Sequence, residues 1–349
     1  MKRFLRLVCV FLVPAFLFSA CGGAEPYSVS GFAMGSAVGV KLWADADTDA
    51  QSAAYGILDA VNALDARISA TKSTSLIYRL NAASVGVQAN EDFIEFMLGI
   101  VRICAATGGA LDVTTGTLTK LWDVESETPR VPSDEEIADA LSFVDFTQLT
   151  LDAERGLVMK GEGQLVDLGA VGKGAACDAA YDVLARTSSS AVVDVGGSIL
   201  LYGRNTKGSG AWPVGVRDPE GSANDLIGTL SLTVGDKSGA CYVSTSGSYE
   251  KYFELDGKRY HHIMDPSTGR PADSGLRAVT VVSRISGLYA DAFSTAFFIM
   301  GPDAVGSLLE AYELEAMFVT EDGRILLTDG LYDVFELAEG KEYTVERLA

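Results

Sequence analysis

Histidine is nearly absent: the 349 residues hold two, His261 and His262, and they are neighbours. Adjacent side chains cannot readily chelate one ion, which excludes His-rich zinc and di-iron sites and leaves hard, oxygen-ligated cations. Positive charge is also short, with 27 Lys and Arg against 47 Asp and Glu and a formal net charge of −20. So acidic a chain repels a phosphate backbone, which argues against nucleic-acid binding. An anionic small substrate therefore needs a cation to meet it. Proline numbers nine, and no repeat, Pro-rich linker or low-complexity block divides the chain, so one catalytic unit is the simplest organisation. What is abundant is ordinary: 48% hydrophobic and 21% charged residues give enough apolar mass for a sizeable core.

One apolar run stands apart. Leu7 to Phe18 follows Lys2, Arg3 and Arg6 and precedes Ser19-Ala20-Cys21, the arrangement of a secretory signal peptide. As a transmembrane anchor the run is short of the roughly 20 residues needed, and Pro14 interrupts it. The sequence FSAC resembles a bacterial lipobox, with Phe18 where Leu is usual, in which Cys21 is lipidated and begins the mature protein. The expected layout is a lipoprotein signal peptide over 1–20, a lipidated tether over 21–28 and a catalytic domain over 29–349. Loss of Lys2, Arg3 and Arg6 takes the formal charge from −20 to −23. Of five cysteines, Cys9 leaves with the signal and Cys21 takes lipid. The remaining Cys104, Cys177 and Cys241 are odd in number, so at least one thiol is free or buried. The expected location is the bacterial cell envelope, lipid-anchored on the periplasmic side of the inner membrane.

Helical spacing runs from Ala54 through Ile57, Leu58, Val61, Leu64 and Ile68, and again from Glu91 to Thr107, with Gly108 where a helix ends. Ser133 and Glu136 form a capping box, and Gly174 to Arg186 is Ala-rich and helical. Strands are predicted at Ala191–Val195, Ile199–Tyr202, Leu230–Val234 and Ala278–Ser283, with hairpin turns at Asp256-Gly257 and Asp322-Gly323. Helices and antiparallel hairpins mix without a βαβ beat, so the predicted class is α+β, antiparallel-rich sheets with packed helices.

Three stretches carry candidate chemistry. Asp167-Leu-Gly-Ala-Val-Gly-Lys-Gly174 places glycines and Lys173 at an expected strand-to-helix junction, where backbone N–H groups favour anions; read alone, such a turn is more often a plain helix start. It matches neither a P-loop nor a GxGxxG fingerprint. Asp291 and Thr295 stand four apart on a helical stretch, so both oxygens share one face and suit Mg2+; a core Asp bonded to its own helix is the plainer alternative. Tyr260-His-His-Ile-Met-Asp-Pro-Ser-Thr-Gly269 follows a hairpin and sets His262 as a proton acceptor and Asp265 as its orienter or an alternative base. The same run also fits a strand that merely ends in a turn.

Taken together, these stretches resemble the ApbE family of FAD:protein FMN transferases, over nearly all of residues 31–320. The motifs come in the family's order: Phe32-Ala-Met-Gly-Ser36, Ser75-Leu-Ile-Tyr-Arg-Leu-Asn81, Ala110-Leu-Asp-Val-Thr114 with Leu121-Trp122, and the stretch Asp167 to Asp178. Val193-Asp-Val-Gly-Gly197, Trp212-Pro-Val-Gly-Val-Arg-Asp-Pro219, Ser244-Thr-Ser-Gly-Ser-Tyr-Glu250, HHIMDPSTGRP and ADAFSTAFFIMG complete them. Ser36 replaces the family's usual Thr, Gly172 its Ala and Asp123 its Gly. The resemblance implies FAD as substrate, Mg2+ as cofactor and transfer of FMN to a Thr hydroxyl of an acceptor flavoprotein subunit, with AMP released. It implies metal ligation by the Ala170 carbonyl, Asp291 and Thr295, catalysis by His262, and flavin or nucleotide contacts near Met34, Asp112, Lys173, Asp178 and Ile263. It also implies acceptors in membrane redox complexes of the sodium-pumping quinone reductase and Rnf types. Two other readings remain: an FAD pyrophosphatase giving FMN and AMP from the same site, and a non-catalytic FAD-binding lipoprotein.

Overall fold

The strand Leu276–Ser283 is apolar on both faces: Val279 and Val281 enter one core, Ala278 and Val282 the other. A strand covered on both sides reads as an unbroken hydrophobic run rather than an alternation. It lies inside a nine-stranded sheet of a computed structural model that describes residues 25–45, 48–187, 189–205, 209–222, 224–234 and 239–348. The sheet order is Tyr27–Ala33, Ser36–Ala44, Ser189–Val195, Ser198–Tyr202, Ala240–Gly247, Leu276–Ser283, Leu314–Thr320, Arg324–Leu327 and Thr344–Arg347. Every pairing is antiparallel except the last. The class is α+β, as the mixed pattern of helices and hairpins implies.

Helices cover one face of this sheet. Ala50–Ile68 packs Ile57, Leu58 and Val61 with Ala176 and Ala180 of Gly172–Leu184 against the first four strands. Gly287–Met300 continues the layer with Phe293 and Phe297, and Met97 of Glu91–Ala106 joins the same core. A three-stranded sheet of Trp212–Arg217, Leu226–Leu232 and Phe335–Leu337 covers the opposite face through Trp212, Leu230 and Leu232.

Local signals explain most boundaries. Asp49 caps the first long helix by accepting from the Ser52 N–H, so it starts at Ala50, four residues before the hydrophobic spacing does. The Ser133–Glu136 capping box is formed in full. Asp256 (φ 53°) and Gly257 (φ 77°) turn the two-residue hairpin between Tyr252–Leu255 and Lys258–His261. Two expectations shift. The predicted strand Leu230–Val234 runs over Leu226–Leu232 instead. No strand runs directly into the Gly-rich stretch either: the strand Leu157–Met159 ends well before Asp167, an isolated bridge from Thr115 to Leu165 lies between, and the helix begins at Gly172.

Cys104, Cys177 and Cys241 are all free and buried. Burial pushes the Cys104 thiol up to about 12 and the Cys241 thiol to about 11, so both are inert near neutrality. No helix among the described residues is long and apolar enough to cross a membrane. The expected signal peptide, and Cys9 and Cys21 with it, lie outside the described residues. The first strand takes in Tyr27 and Ser28, the last two residues of the expected tether.

Candidate active site

Two glycines set the site. A Cβ on Gly174 would sit 2.0 Å from the Gly287 carbonyl oxygen, and one on Gly287 would sit 2.3 Å from that of Gly174. The helices Gly172–Leu184 and Gly287–Met300 therefore touch backbone to backbone, which residues with side chains could not do. This approach lets the Gly174 N–H donate to Asp291 Oδ2 at 2.8 Å. Gly174 is the third residue of its helix, so its N–H has no acceptor within that helix and Asp291 supplies one. Ala170 precedes that helix and lines the cleft.

Asp291 is buried, and its other oxygen accepts from the hydroxyls of Ser198 (3.3 Å) and Ser244 (3.1 Å) on two neighbouring sheet strands. Burial pushes its carboxyl up, opposed by Lys173, the Gly174 N–H and the two serines. The Thr295 hydroxyl, one turn on, shares a 3.1 Å hydrogen bond with Ser246. Ala170, Asp291 and Thr295, the three residues expected to hold a metal, all line the same cleft. The donors there are carboxylate, carbonyl and hydroxyl oxygens, without thiolate or imidazole, which is the chemistry Mg2+ prefers. Lys173 stands beside them: burial opposes its charge, but Asp291, Glu250 and Asp194 outweigh burial and hold the ammonium protonated. Its Nζ also reaches the Gly196 carbonyl at 3.4 Å.

The two histidines divide their roles. His261 is buried and fully engaged, with Nε2 3.0 Å from the Ala272 carbonyl and Nδ1 accepting from the Ile263 N–H at 3.3 Å. His262 lines the cleft, and the Lys251 carbonyl takes both its backbone N–H (3.0 Å) and its Nδ1 (3.3 Å). A carbonyl only accepts, so Nδ1 carries the proton and Nε2 keeps a free lone pair. Burial, reinforced by His261 and the Lys173 charge, lowers the His262 pKa to about 4, so the ring is neutral at pH 7.

The cleft encloses about 520 Å3, within the range of cofactor sites. Met34, Asp112, Lys173 and Ile263 line it with Ala170, Asp291, Thr295 and His262. Met34 (φ 53°) and Gly35 (φ 68°) form the tight turn between the first two strands, and the Met34 N–H is held by Asp65 Oδ2 at 3.0 Å. Asp112 contributes to the wall, but its carboxylate is occupied by the Thr114 N–H and hydroxyl and by the Phe146 N–H. It braces the loop.

Two expected residues sit elsewhere. Asp178 does not line the cleft; its carboxylate accepts from the N–H groups of Gly287 (2.7 Å) and Leu288 (2.9 Å) and from the Ser286 hydroxyl (2.8 Å). It caps the Asp291 helix from outside, because that helix brings no capping side chain of its own. Asp265 is turned into its own loop, where Oδ1 accepts from the Ser267 N–H and hydroxyl. The Lys251 carbonyl, and not Asp265, orients His262. Sequence reasoning assigned no role to Asp65, Ser198, Ser244, Ser246 or Lys251. Their partners are distant in sequence, and only the motif around Ser244 to Glu250 pointed to that strand.

The family model described as the ApbE family matches residues 34–318. A Treponema pallidum protein named FAD:protein FMN transferase is 30% identical over 350 residues, covering 94% of both chains. A Klebsiella pneumoniae protein of the same name is 29% identical over 307 residues, covering 86% of this chain and 92% of its own. Among solved structures, the ApbE protein of Thermotoga maritima superposes with a TM-score of 0.79 at 31% identity, over 89% of this chain and 99% of the other. The flavinyl transferase ApbE of Pseudomonas stutzeri in its apo form gives 0.75 at 28% identity, over 90% and 98%. Motif order and these likenesses agree: the chain belongs to the ApbE family.

Proposed function

We propose that this chain is an FAD:protein FMN transferase that moves FMN onto a threonine hydroxyl of an acceptor flavoprotein subunit, with Mg2+, and releases AMP. The observation that carries the reading is the convergence on one cleft of an all-oxygen corner at Asp291 and a neutral imidazole with a free nitrogen. The Ala170 carbonyl, Asp291 and Thr295 would hold the cation, which when bound supplies neutralisation of pyrophosphate charge. In a chain with 20 excess negative charges, Lys173 provides a second cation beside a dianionic linkage. His262 Nε2 takes the proton of the attacking hydroxyl. The new bond joins the threonine oxygen to the FMN-side phosphorus, and the bond to the AMP phosphate breaks, with AMP leaving as the anion. Held by the Lys251 carbonyl, the ring needs no change of tautomer to act.

The proposed setting follows the N-terminal pattern: a lipid on Cys21 would keep the domain at the periplasmic face of the inner membrane. Its acceptors would then be subunits of sodium-pumping quinone reductase or Rnf-type complexes. Incubation with FAD and Mg2+, with and without such a subunit, tests the reaction. Transfer predicts AMP in step with acceptor labelling and little AMP without acceptor. Release of AMP at full rate without acceptor would make the protein an FAD pyrophosphatase, and binding without cleavage would make it a flavin carrier.

A further inference from the structure

We propose that the free edge of the strand Tyr27–Ala33 is the rail on which the acceptor polypeptide docks, as an added extended strand leading to the cleft. This rests on transfer to a protein, since only then must a polypeptide reach the site.

The strand lies at one end of the nine-stranded sheet and pairs on one side only among the described residues. The Met34-Gly35 turn fixes which groups face outward. In a two-residue hairpin the flanking residues, here Ala33 and Ser36, exchange both backbone bonds, and the pattern alternates from there. Ala33, Gly31, Val29 and Tyr27 therefore bond to the neighbouring strand, and Ser28, Ser30 and Phe32 turn their N–H and C=O groups to the open edge. The side chains of these same three residues are exposed, while Val29 and Ala33 pack toward the first long helix. Phe32 is 72% exposed, two residues from Met34, which lines the cleft.

Exposed edges are normally blunted by charge or proline. The opposite edge of the sheet, Thr344–Arg347, carries Glu346 and Arg347. Tyr27–Ala33 reads YSVSGFA and carries neither device, in a chain with 47 acidic residues. An unprotected edge of seven residues, roughly 24 Å long, with an apolar ring at its cleft end suits strand addition by a peptide. Main-chain bonds would supply affinity, Phe32 would contact an apolar side chain of the partner, and the turn would deliver its threonine to the cleft.

Ser30→Pro removes one outward N–H and no bond to the neighbouring strand. The probe is the flavin-free soluble domain of a subunit of the quinone reductase or Rnf type. With it, Ser30→Pro and Phe32→Ser are each expected to raise the KM for acceptor at least ten-fold, leaving FAD affinity and kcat at saturating acceptor unchanged. Hydrogen exchange on the wild-type protein is expected to show slowed amides at Ser28, Ser30 and Phe32 when the domain is added, whether or not transfer follows. An unchanged KM with unprotected edge amides overturns the proposal. So does a dimer that Ser30→Pro splits while KM stays put, since the edge would then serve a second copy of this chain. If the wild type binds the domain through protected edge amides but labels none of it, the transfer reading falls and the docking edge stands.

Discussion

Gly174→Ala should damage both stability and catalysis. The added methyl would lie 2.0 Å from the Gly287 oxygen and 2.5 Å from Asp291 Cβ, both atoms that cannot swing aside. Relief requires the two helices to separate by about 1 Å or more, since a carbon–oxygen contact needs over 3 Å. Overpacking of this kind costs typically 1–3 kcal/mol, against a gain of roughly 0.5–1 kcal/mol from replacing a helical glycine. A net loss of about 1–2 kcal/mol is expected, and separation of the helices would also stretch the Gly174 N–H bond to Asp291. Gly172→Ala is the internal control. Its methyl would meet only Ile68 Cδ1 at 3.5 Å and the Met34 sulfur at 3.9 Å, both ordinary contacts. Urea midpoints followed by circular dichroism, with AMP release measured on the same samples, decide the matter. Gly174→Ala as stable and active as wild type, or Gly172→Ala equally damaging, would refute the backbone-contact argument.

Other outcomes follow from the same geometry. Asp178→Ala strips the acceptor from the Gly287 and Leu288 N–H groups and should destabilise by about 2 kcal/mol in urea melts, with FAD affinity falling only as folding falls. His262→Ala should retain FAD, measured by fluorescence quenching, and lose transfer; flavinylation at the wild-type rate would remove His262 from the mechanism. Burial lowers the His261 pKa to about 4, below the unfolded value, so the unfolded chain binds the extra proton first. His261 should therefore contribute a stability loss of about 3 kcal/mol as pH falls from 6.5 to 4, none above that window and no more below it. Buried carboxylates with raised pKa, such as Asp291, act in the opposite sense. The comparison is thus with His261→Asn, whose pH–stability curve should lack the histidine component.

Local chemistry made much of this legible. Spacing marked the helices through Ile57 and Met97, the Asp256-Gly257 turn marked the hairpin that delivers His262, and the Gly-rich stretch with Lys173 marked one wall of the cleft. The obscure parts depend on groups that meet only in the fold. The helix Gly287–Met300 is buried on nearly all sides, so it shows no amphipathic stripe to separate a ligand from a core residue. Asp291 takes its support from Gly174, Ser198 and Ser244, the first of them 117 residues away. Asp178 was expected near the flavin or nucleotide from the family resemblance alone, yet its carboxylate serves the next helix. Asp265 stands three residues from His262, but a two-residue Asp–Ser bond closes its turn more readily than a reach back along the chain.

Mass spectrometry of an acceptor subunit after incubation with FAD and Mg2+ tests the central claim most directly. The account predicts FMN on one threonine through a phosphodiester, present with the wild-type protein and missing with His262→Ala and Asp291→Ala. An acceptor that stays unmodified while FAD is consumed, or equal labelling by those two variants, would contradict it.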